Sequence, residues 1–303
     1  NKAVHRVVHG GKFNSPKRIS SSLISELKKY GEFAPLHQDI ALEIIEHLGK
    51  RFNGVVQYAC FDTSFHLSMP KVSRTYAIPK SLSERFKIER YGFHGLAHES
   101  MYNELCKLKK VRKVDRVISC QLGSGVSLCA IKDGKSIETT MGFTPLEGVV
   151  MGTRSGSIDV AIVPFLSRKL RKSSDEVVNV FEKKSGLLGL CGASDMRIIL
   201  ERTKRGDKRA RFALDVFVHS FKKHLGQMVA VLGGVDAVVL GGGISNSDVM
   251  RKRLFEGLGG FGIKIGKRKI GKETPVKISS GGIEVWALDG DEMKEMFELV
   301  KRE

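Results

Sequence analysis

The chain has 303 residues, of which 41% are hydrophobic and 28% charged, a composition typical of a globular protein with two domains or one large one. It holds 51 lysines and arginines against 33 acidic residues, a net charge of +18, and its apolar runs are too short to predict a membrane span. Five cysteines without metal-binding spacing indicate buried free thiols. We therefore expect a cytoplasmic protein without a signal peptide, zinc site or disulfides.

The basic residues are concentrated in clusters, which lie at 107–116, 168–172, 202–211 and 264–272. Such clusters can contact nucleic acid. However, no aromatic residues alternate with them, so the stacking platforms that bind single strands are absent. Solvated helix faces in a protein with anionic small substrates are the better explanation, and nucleic-acid binding is kept as a minor alternative.

In chain order, hydrophobic patterning predicts an α/β protein in which strands and helices are interspersed. The predicted strands are 4–9, 55–61, 117–122, 126–131, 136–140, 235–240, 276–279 and 284–287. The predicted helices are 18–30, 38–50, 99–110, 175–184, 209–232 and 291–302.

Two of the buried strands run directly into glycine-rich loops. The strand 117–122 leads into Gly123-Ser124-Gly125, and an Asp-Gly turn at 133–134 then closes a hairpin. Backbone N–H groups in such a turn can cradle phosphate oxygens, whereas a P-loop would need a helix and a Gly-Lys-Ser/Thr here. The strand 235–240 leads into 241–244, which suits a base and ribose pressed against backbone, although a simple tight turn explains it equally well.

The segment 139–159 has almost no helical or strand periodicity and contains four glycines, one proline and Arg154. Small neighbours leave the Arg154 guanidinium unobstructed, and a planar fork of donors suits a phosphate or a carboxylate. Taken alone, a solvated surface loop is the commoner explanation for such a segment.

Eight segments in the same order resemble the acetokinase family of the acetate and sugar kinase, Hsp70 and actin superfamily. They are HRVVHGGKF (5–13), APLH (34–37), FDTSFH (61–66), YGFHGLAH (91–98), QLGSGVS (121–127), TTMGFTPLEGVVMGTRSGSID (139–159), SGLLGLCGASDMR (185–197) and GGVDAVVLGGGI (233–244). The resemblance implies a two-lobed, actin-like (ribonuclease H-like) α/β fold. It also implies reversible phosphoryl transfer from ATP to acetate with Mg²⁺, giving acetyl phosphate and ADP, and a homodimer.

The resemblance also implies roles for individual residues. Arg6 and Arg154 would hold the acyl carboxylate and the transferring phosphoryl group, Asp62 would orient acetate and help order the metal, and His94 would donate to the phosphoryl oxygens. The acetate methyl pocket would comprise Val8, Leu36, Phe93 and Pro145. The nucleotide site would comprise Gln121, Gly123, Ser124, Gly125, Asp195, Met196, Arg197, Gly242, Gly243 and Ile244. Asp291 and Glu292 are the candidate metal ligands.

The sequence departs from the family pattern in several places. Gln121 replaces a histidine, Ser124 replaces an asparagine, and residues 289–293 only approximate an Asn-Glu-Glu-Leu segment. The family's first phosphate-binding strand is not matched, so we expect a first lobe (1–63 plus 292–303) that is incomplete at its N-terminus, beside a nucleotide-binding lobe (64–291). Two alternatives stay open: a propionate kinase, and a degenerate family member that binds nucleotide without turnover.

Overall fold

The computed structural model describes residues 2–34, 37–52, 54–266 and 274–303, and these residues form two β-sheets with helices against them. The strands are β1 (Lys2–Val7), β2 (Lys17–Arg18), β3 (Val56–Phe61), β4 (Arg116–Leu122), β5 (Val126–Lys132), β6 (Lys135–Thr139), β7 (Ala237–Gly241), β8 (Val276–Lys277) and β9 (Glu284–Ala287). The helices are α1 (Ser21–Lys28), α2 (Gln38–Arg51), α3 (Lys71–Arg74), α4 (Lys80–Phe86), α5 (Gly95–Lys109), α6 (Ile162–Leu170), α7 (Ser174–Lys183), α8 (Gly186–Cys191), α9 (Met196–Lys204), α10 (Lys208–Leu232), α11 (Asp248–Phe255) and α12 (Glu292–Lys301).

The smaller sheet has the order β1-β3-β2, with β1 parallel to β3 and β2 antiparallel to it. Side chains alternate between the faces of β3, so neighbouring residues contribute to different cores. Phe61 lies in one buried cluster with residues of α1 and α2, whereas Cys60 lies in another with residues of α5 and α12. This sheet is therefore covered by helices on both faces.

The larger sheet has the order β6-β5-β4-β7-β9-β8, and its central pair β4 and β7 is parallel. Every residue of β7 is buried, as expected for a strand with helices on both faces. The long helix α10 contributes Phe217 and Phe221 to the core on one face, and α5 contributes Met101 and Leu105 to the core on the other. No helix in the described part of the chain is long and apolar enough to cross a bilayer.

Most predicted elements are present, with two informative differences. The predicted helix 18–30 begins only at Ser21, because Ser20 caps it by accepting a hydrogen bond from Leu23 N, while Lys17 and Arg18 pair with β3. The predicted helix 99–110 begins earlier, at Gly95. Hydrophobic patterning did not predict the short helices α3, α4, α6, α8, α9 and α11.

In each sheet, the residues that follow the C-terminal ends of the parallel strands form loops. In the smaller sheet Asp62 follows β3 directly, and in the larger sheet Gly123 follows β4 and Gly242 follows β7. Because β4 and β7 are parallel neighbours, the loops that follow them meet at one edge of the larger sheet, and this is where ligands bind in open α/β sheets.

Candidate active site

The first cleft, with a volume of about 390 Å³, lies at the ends of β1 and β3. Arg6 near the end of β1 donates from Nε to Asp62 Oδ1 (2.9 Å) and from Nη2 to Asp62 Oδ2 (2.7 Å), a bidentate pair. Arg6 Nη1 also lies 3.0 Å from Oε2 of Glu292, the first residue of α12. The Arg6 guanidinium is thus held between two carboxylates, Asp62 and Glu292, that are far apart in the sequence.

Burial and charge act in opposite directions on this cluster. Burial lowers the pKa of Arg6, but the contacts with Asp62 and Glu292 outweigh it and raise the pKa overall. Burial raises the pKa of Glu292, and the charge on Arg6 offsets part of that rise. Arg6 therefore stays charged, and two of its five N–H groups remain for a further anion.

His94 and Arg154 meet at the turn between β4 and β5. A Cβ atom placed on Gly125 would lie 3.2 Å from His94 Nε2 and 3.4 Å from Arg154 Nη1, so both side chains pack against this backbone. Burial first, and then the charges on Arg6 and Arg154, lower the pKa of His94 to about 3. His94 is therefore a neutral imidazole at neutral pH, at a position surrounded by cationic groups.

Arg154 differs from Arg6 in its partners. Its Nη1 donates only to Pro145 O (3.4 Å) and contacts Met151 Sδ (3.5 Å), and it forms no ion pair with any described residue. Burial lowers the pKa of Arg154, and the more distant Glu182 only partly opposes this. A half-buried guanidinium without a carboxylate partner among the described residues is a strong site for an anionic ligand.

Apolar side chains form the other wall of the first cleft. Three of the four predicted methyl-pocket residues line it, namely Val8, Phe93 and Pro145. The fourth, Leu36, lies outside the described residues. Sequence analysis did not assign the other lining residues to the site, and these are Val4, His5, His37, Ile40, Ala41 and Ile44.

The second cleft, of about 630 Å³, lies between the β4–β5 turn, the start of α9 and the loop after β7. Seven of the ten predicted nucleotide residues line it, namely Gly123, Ser124, Asp195, Met196, Arg197, Gly243 and Ile244. Patterning missed Leu200, Asn246 and Ser247, although the last two directly follow the glycine loop that suggested the site. Apolar Met196, Leu200 and Ile244 suit a flat base, and the glycines allow close backbone approach.

Asp195 is the cap of α9, which fixes its side chain at the rim of the second cleft. It accepts from Arg197 N at 2.8 Å, and the Arg197 side chain also bonds to it. These hydrogen bonds lower the pKa of Asp195 to about 2. The pair is solvent-exposed, so its main effect is to position the rim of the cleft.

Consecutive residues of the glycine-rich segment line different clefts. Thr153 faces the second cleft and Arg154 faces the first. Gly152 N donates to Ser124 O (3.3 Å), which links the segment to the turn between β4 and β5. A ligand bound in the second cleft could therefore extend an anionic end past Gly125 toward His94 and Arg154.

Three predicted site residues do not line the second cleft. Gly125 lies between the two clefts, and Gly242 (φ +84°) packs against the backbone of Leu122, where a side chain would not fit. Gln121 lies within β4, and its buried Oε1 has no hydrogen-bond partner among the described residues.

The two candidate metal ligands also occupy different positions. Glu292 pairs with Arg6, which lines the first cleft, whereas the Asp291 carboxylate caps α12 by accepting from Lys294 N at 2.9 Å. In the described part of the chain, His, Cys, Asp and Glu side chains form no group of three or more that could hold a metal ion. Asp62 and Glu292 are nevertheless the type of hard oxygen ligand that Mg²⁺ prefers, and Mg²⁺ commonly uses only one or two carboxylates besides water and phosphate.

Comparison with known proteins gives a consistent picture. A sequence model of the acetokinase family matches residues 2–295. The acetate kinase of Desulfitobacterium hafniense is 46% identical over 279 residues, which are 90% of this chain and 70% of that protein. The solved acetate kinase of Porphyromonas gingivalis superposes with a TM-score of 0.91 at 31% identity, over 97% of this chain and 76% of that one. The solved propionate kinase of Francisella tularensis superposes with a TM-score of 0.94 at 35% identity, over 98% of this chain and 78% of that one.

Proposed function

The chain belongs to the acetokinase family, and we propose that it transfers the γ-phosphoryl group of ATP to acetate, reversibly, giving acetyl phosphate and ADP. Its fold is the two-lobed, actin-like α/β fold of the acetate and propionate kinases. The observation that carries the proposal is the junction of the two clefts, where Arg154 and His94 pack against Gly125 between a nucleotide-sized cleft and a small acyl cleft.

The chemistry fits these side chains. Acetate is ionised at neutral pH, so its oxygen can attack the γ-phosphorus without a base. One O–P bond forms as the bond to ADP breaks, and negative charge spreads over three equatorial oxygens. Arg154 and the neutral His94 are placed to donate to those oxygens, and the two free N–H groups of Arg6 are placed to hold the acetate carboxylate. Asp62 then orients Arg6 rather than removing a proton.

We propose that Asp62 and Glu292 hold Mg²⁺ together with water and phosphate oxygens, and that ATP and ADP are the nucleotide substrates. When bound, the ion would neutralise charge on the phosphate oxygens. Both carboxylates currently share Arg6, so the same cluster links the acyl site and the metal site.

Acetate is the preferred acceptor in this proposal because Val8, Phe93 and Pro145 form a small apolar wall of the first cleft. The similar propionate kinase keeps propionate as the second candidate. One extra methylene changes transition-state binding by roughly 1–3 kcal/mol, so kcat/KM for the two acids should differ by about tenfold or more. A higher kcat/KM for propionate would reverse the assignment.

A family member without turnover is the remaining alternative, and Gln121 and Ser124 are its support. It predicts that Mg²⁺ and ATP bind while acetate stimulates no ADP release. Formation of acetyl phosphate, trapped as the hydroxamate, would exclude it.

We also propose a homodimer, because one helix exposes an apolar face. Every residue of α6 is described and none is buried. Phe165 and Leu170 on the helix are 51% and 52% exposed, and Val160, two residues before it, is 81% exposed. An exposed apolar surface of this kind commonly marks a protein–protein interface. Light scattering should give twice the chain mass for the wild type and the single mass for Val160→Glu/Phe165→Glu. Phe52→Glu, at an equally exposed phenylalanine directly after α2, should leave the mass unchanged, and a monomeric wild type would contradict the proposal.

Two further assignments follow as proposals. Five buried free cysteines fit a reducing, cytoplasmic location. A division into 1–63 plus 292–303 and 64–291 is supported by the smaller sheet, which lies within the first segment, and by Met296 and Val300 of α12, which join Cys60 in one buried cluster.

A further inference from the structure

Behind His94 runs a chain of buried hydrogen-bonding side chains that leads away from the cleft. His94 Nδ1 lies 2.9 Å from Ser127 Oγ, and the same oxygen lies 2.8 Å from His98 Nε2. His98 Nδ1 in turn lies 2.9 Å from Ser119 Oγ. His98, Ser119 and Ser127 are fully buried, so their hydrogen-bonding groups depend on neighbouring protein atoms rather than on solvent.

A serine hydroxyl has one proton, and this couples the two rings. Ser127 can donate to His94 and accept from His98, or the reverse, but it cannot donate to both. In the first direction His94 carries its own proton on Nε2, which faces Gly125 and Arg154. In the second direction His94 Nε2 bears only a lone pair, and the chain ends at Met101 Sδ, 4.0 Å from Ser119 Oγ and a weak acceptor.

We propose that Ser127, oriented by His98 and Ser119, is a positioning residue that fixes the ring and the tautomer of His94, so that a neutral His94 donates Nε2–H to the transferring phosphoryl group. We call the hydrogen-bonded chain His94–Ser127–His98–Ser119 the relay. The proposal rests on the proposed function for the direction in which the relay donates, since only a donor at Nε2 stabilises a developing oxyanion. The lowered pKa of His94 agrees with it, because a neutral ring depends on its tautomer in order to donate.

A neighbouring serine–histidine pair provides an internal standard. His66 Nε2 lies 3.0 Å from Phe93 O, and because a carbonyl can only accept, His66 carries its proton on Nε2. Its Nδ1 lies 2.9 Å from Ser136 Oγ, and both residues are fully buried, like the relay. The His66–Ser136 pair thus has the same kind of histidine–serine hydrogen bond as His94 and Ser127, but it is not part of the relay.

The experiment is nitrogen-15 NMR of the full chain with labelled histidine, assigned with His94→Asn and His98→Gln, alone and with MgADP, acetate and aluminium fluoride. In the complex we expect His94, His98 and His66 all to be Nε2–H tautomers. In the free protein, Ser127→Ala should shift the resonances of His94 and His98 by much more than those of His66, whose ring only touches the edge of His98. Ser136→Ala should do the opposite.

Kinetics provide the second readout. Ser127→Ala should lower kcat about ten- to a hundredfold while KM for ATP and acetate stays within about threefold, by comparison with single-donor losses. Ser127→Thr keeps the hydroxyl and should recover most of the loss, and Ser136→Ala should keep the wild-type kcat. If Ser127→Ala does not fold, Ser127→Thr and the wild-type tautomers still decide the question.

An Nδ1–H tautomer of His94 in the complex, or unchanged His94 and His98 resonances in Ser127→Ala, would overturn the relay. Coupled shifts of both rings in a chain that makes no acetyl phosphate would support the relay and count against the proposed function.

Discussion

At the residue scale, the cluster of Arg6, Asp62 and Glu292 shows what sequence could and could not predict. The resemblance of two short segments assigned Arg6 and Asp62 to the same acyl site, with Arg6 within one predicted strand and Asp62 directly after another. It could not separate Asp291 from Glu292, since adjacent acids at a helix start read alike. Only the structure distinguishes them, because α12 begins with Asp291 as its cap and turns Glu292 toward Arg6.

This difference predicts a selective metal phenotype. Glu292→Gln removes one of the two carboxylates and should raise the Mg²⁺ concentration needed for half-maximal activity about tenfold or more, a loss of about 1.4 kcal/mol or more in metal binding. Asp291→Asn should leave the requirement unchanged, since asparagine is as good a helix cap as aspartate. Magnesium titration of the kinase activity checks both. If Asp291→Asn gave the larger effect, the assignment of Glu292 would be wrong.

Gln121 shows the limit of a resemblance. Its position was carried over into the nucleotide site, yet its side chain does not line the second cleft, and its buried amide oxygen has no partner among the described residues. A motif match predicts the location of the backbone, but the direction of a substituted side chain depends on packing that one sequence does not contain.

At the element scale, the glycine-rich segment after β6 is shaped by backbone contacts. Gly156 has φ +72°, and a Cβ atom there would lie 2.5 Å from Gly148 O. The density of glycine predicted an unusual backbone here. It did not predict that the segment would separate two clefts, because that depends on the distant β4–β5 turn.

Gly156→Ala should therefore lower the free energy of unfolding by more than about 1–3 kcal/mol, since it adds a backbone clash to the strain of a positive φ. Gly206→Ala is the matched control, with φ +87° and open space around its Cβ position. It should cost about 1 kcal/mol, close to the conformational strain alone. Urea unfolding of the two variants measures the difference, and equal losses would mean that the clash at Gly156 is relieved.

At the scale of the whole molecule, the strand and helix order followed from patterning, whereas the short helices did not. Helices such as α8 and α9 span fewer than three turns and carry too few periodic residues to be distinguished from loops. They form because they pack against α10, and such tertiary contacts are not visible in local periodicity.

Buried histidines predict how the stability of the whole protein depends on pH. Burial lowers the pKa of His9 to about 3 and of His66 to about 4, as it does for His94. Below pH 6.5 the unfolded chain binds protons that the folded protein does not, so stability falls on acidification. At pH 5 each such histidine costs roughly 2 kcal/mol.

Buried carboxyl groups with a raised pKa oppose this trend, and Glu99 is the clearest case. Burial raises the pKa of Glu99 to about 7, so acidification from pH 7 to pH 5 restores roughly 2 kcal/mol. His9, His66 and His94 outweigh Glu99, and from these four groups we expect a net loss of roughly 3 kcal/mol in the free energy of unfolding, measured by urea unfolding at the two pH values. Glu99→Gln should be more stable than the wild type at pH 7 and lose more on acidification. A wild type that is equally stable or more stable at pH 5 would contradict the account.

The most direct test of the proposed function is the formation of acetyl phosphate from MgATP and acetate, trapped as the hydroxamate, by the wild type and Arg154→Ala. We expect turnover by the wild type and a loss of about a hundred- to a thousandfold in kcat for the variant, because a main donor to the transferring phosphoryl group is removed. Arg253→Ala, at an arginine that pairs with Asp215 outside both clefts, should keep full activity. Wild-type turnover that survives in Arg154→Ala, or ATP hydrolysis that does not depend on acetate, would contradict the placement of phosphoryl transfer at the junction of the two clefts.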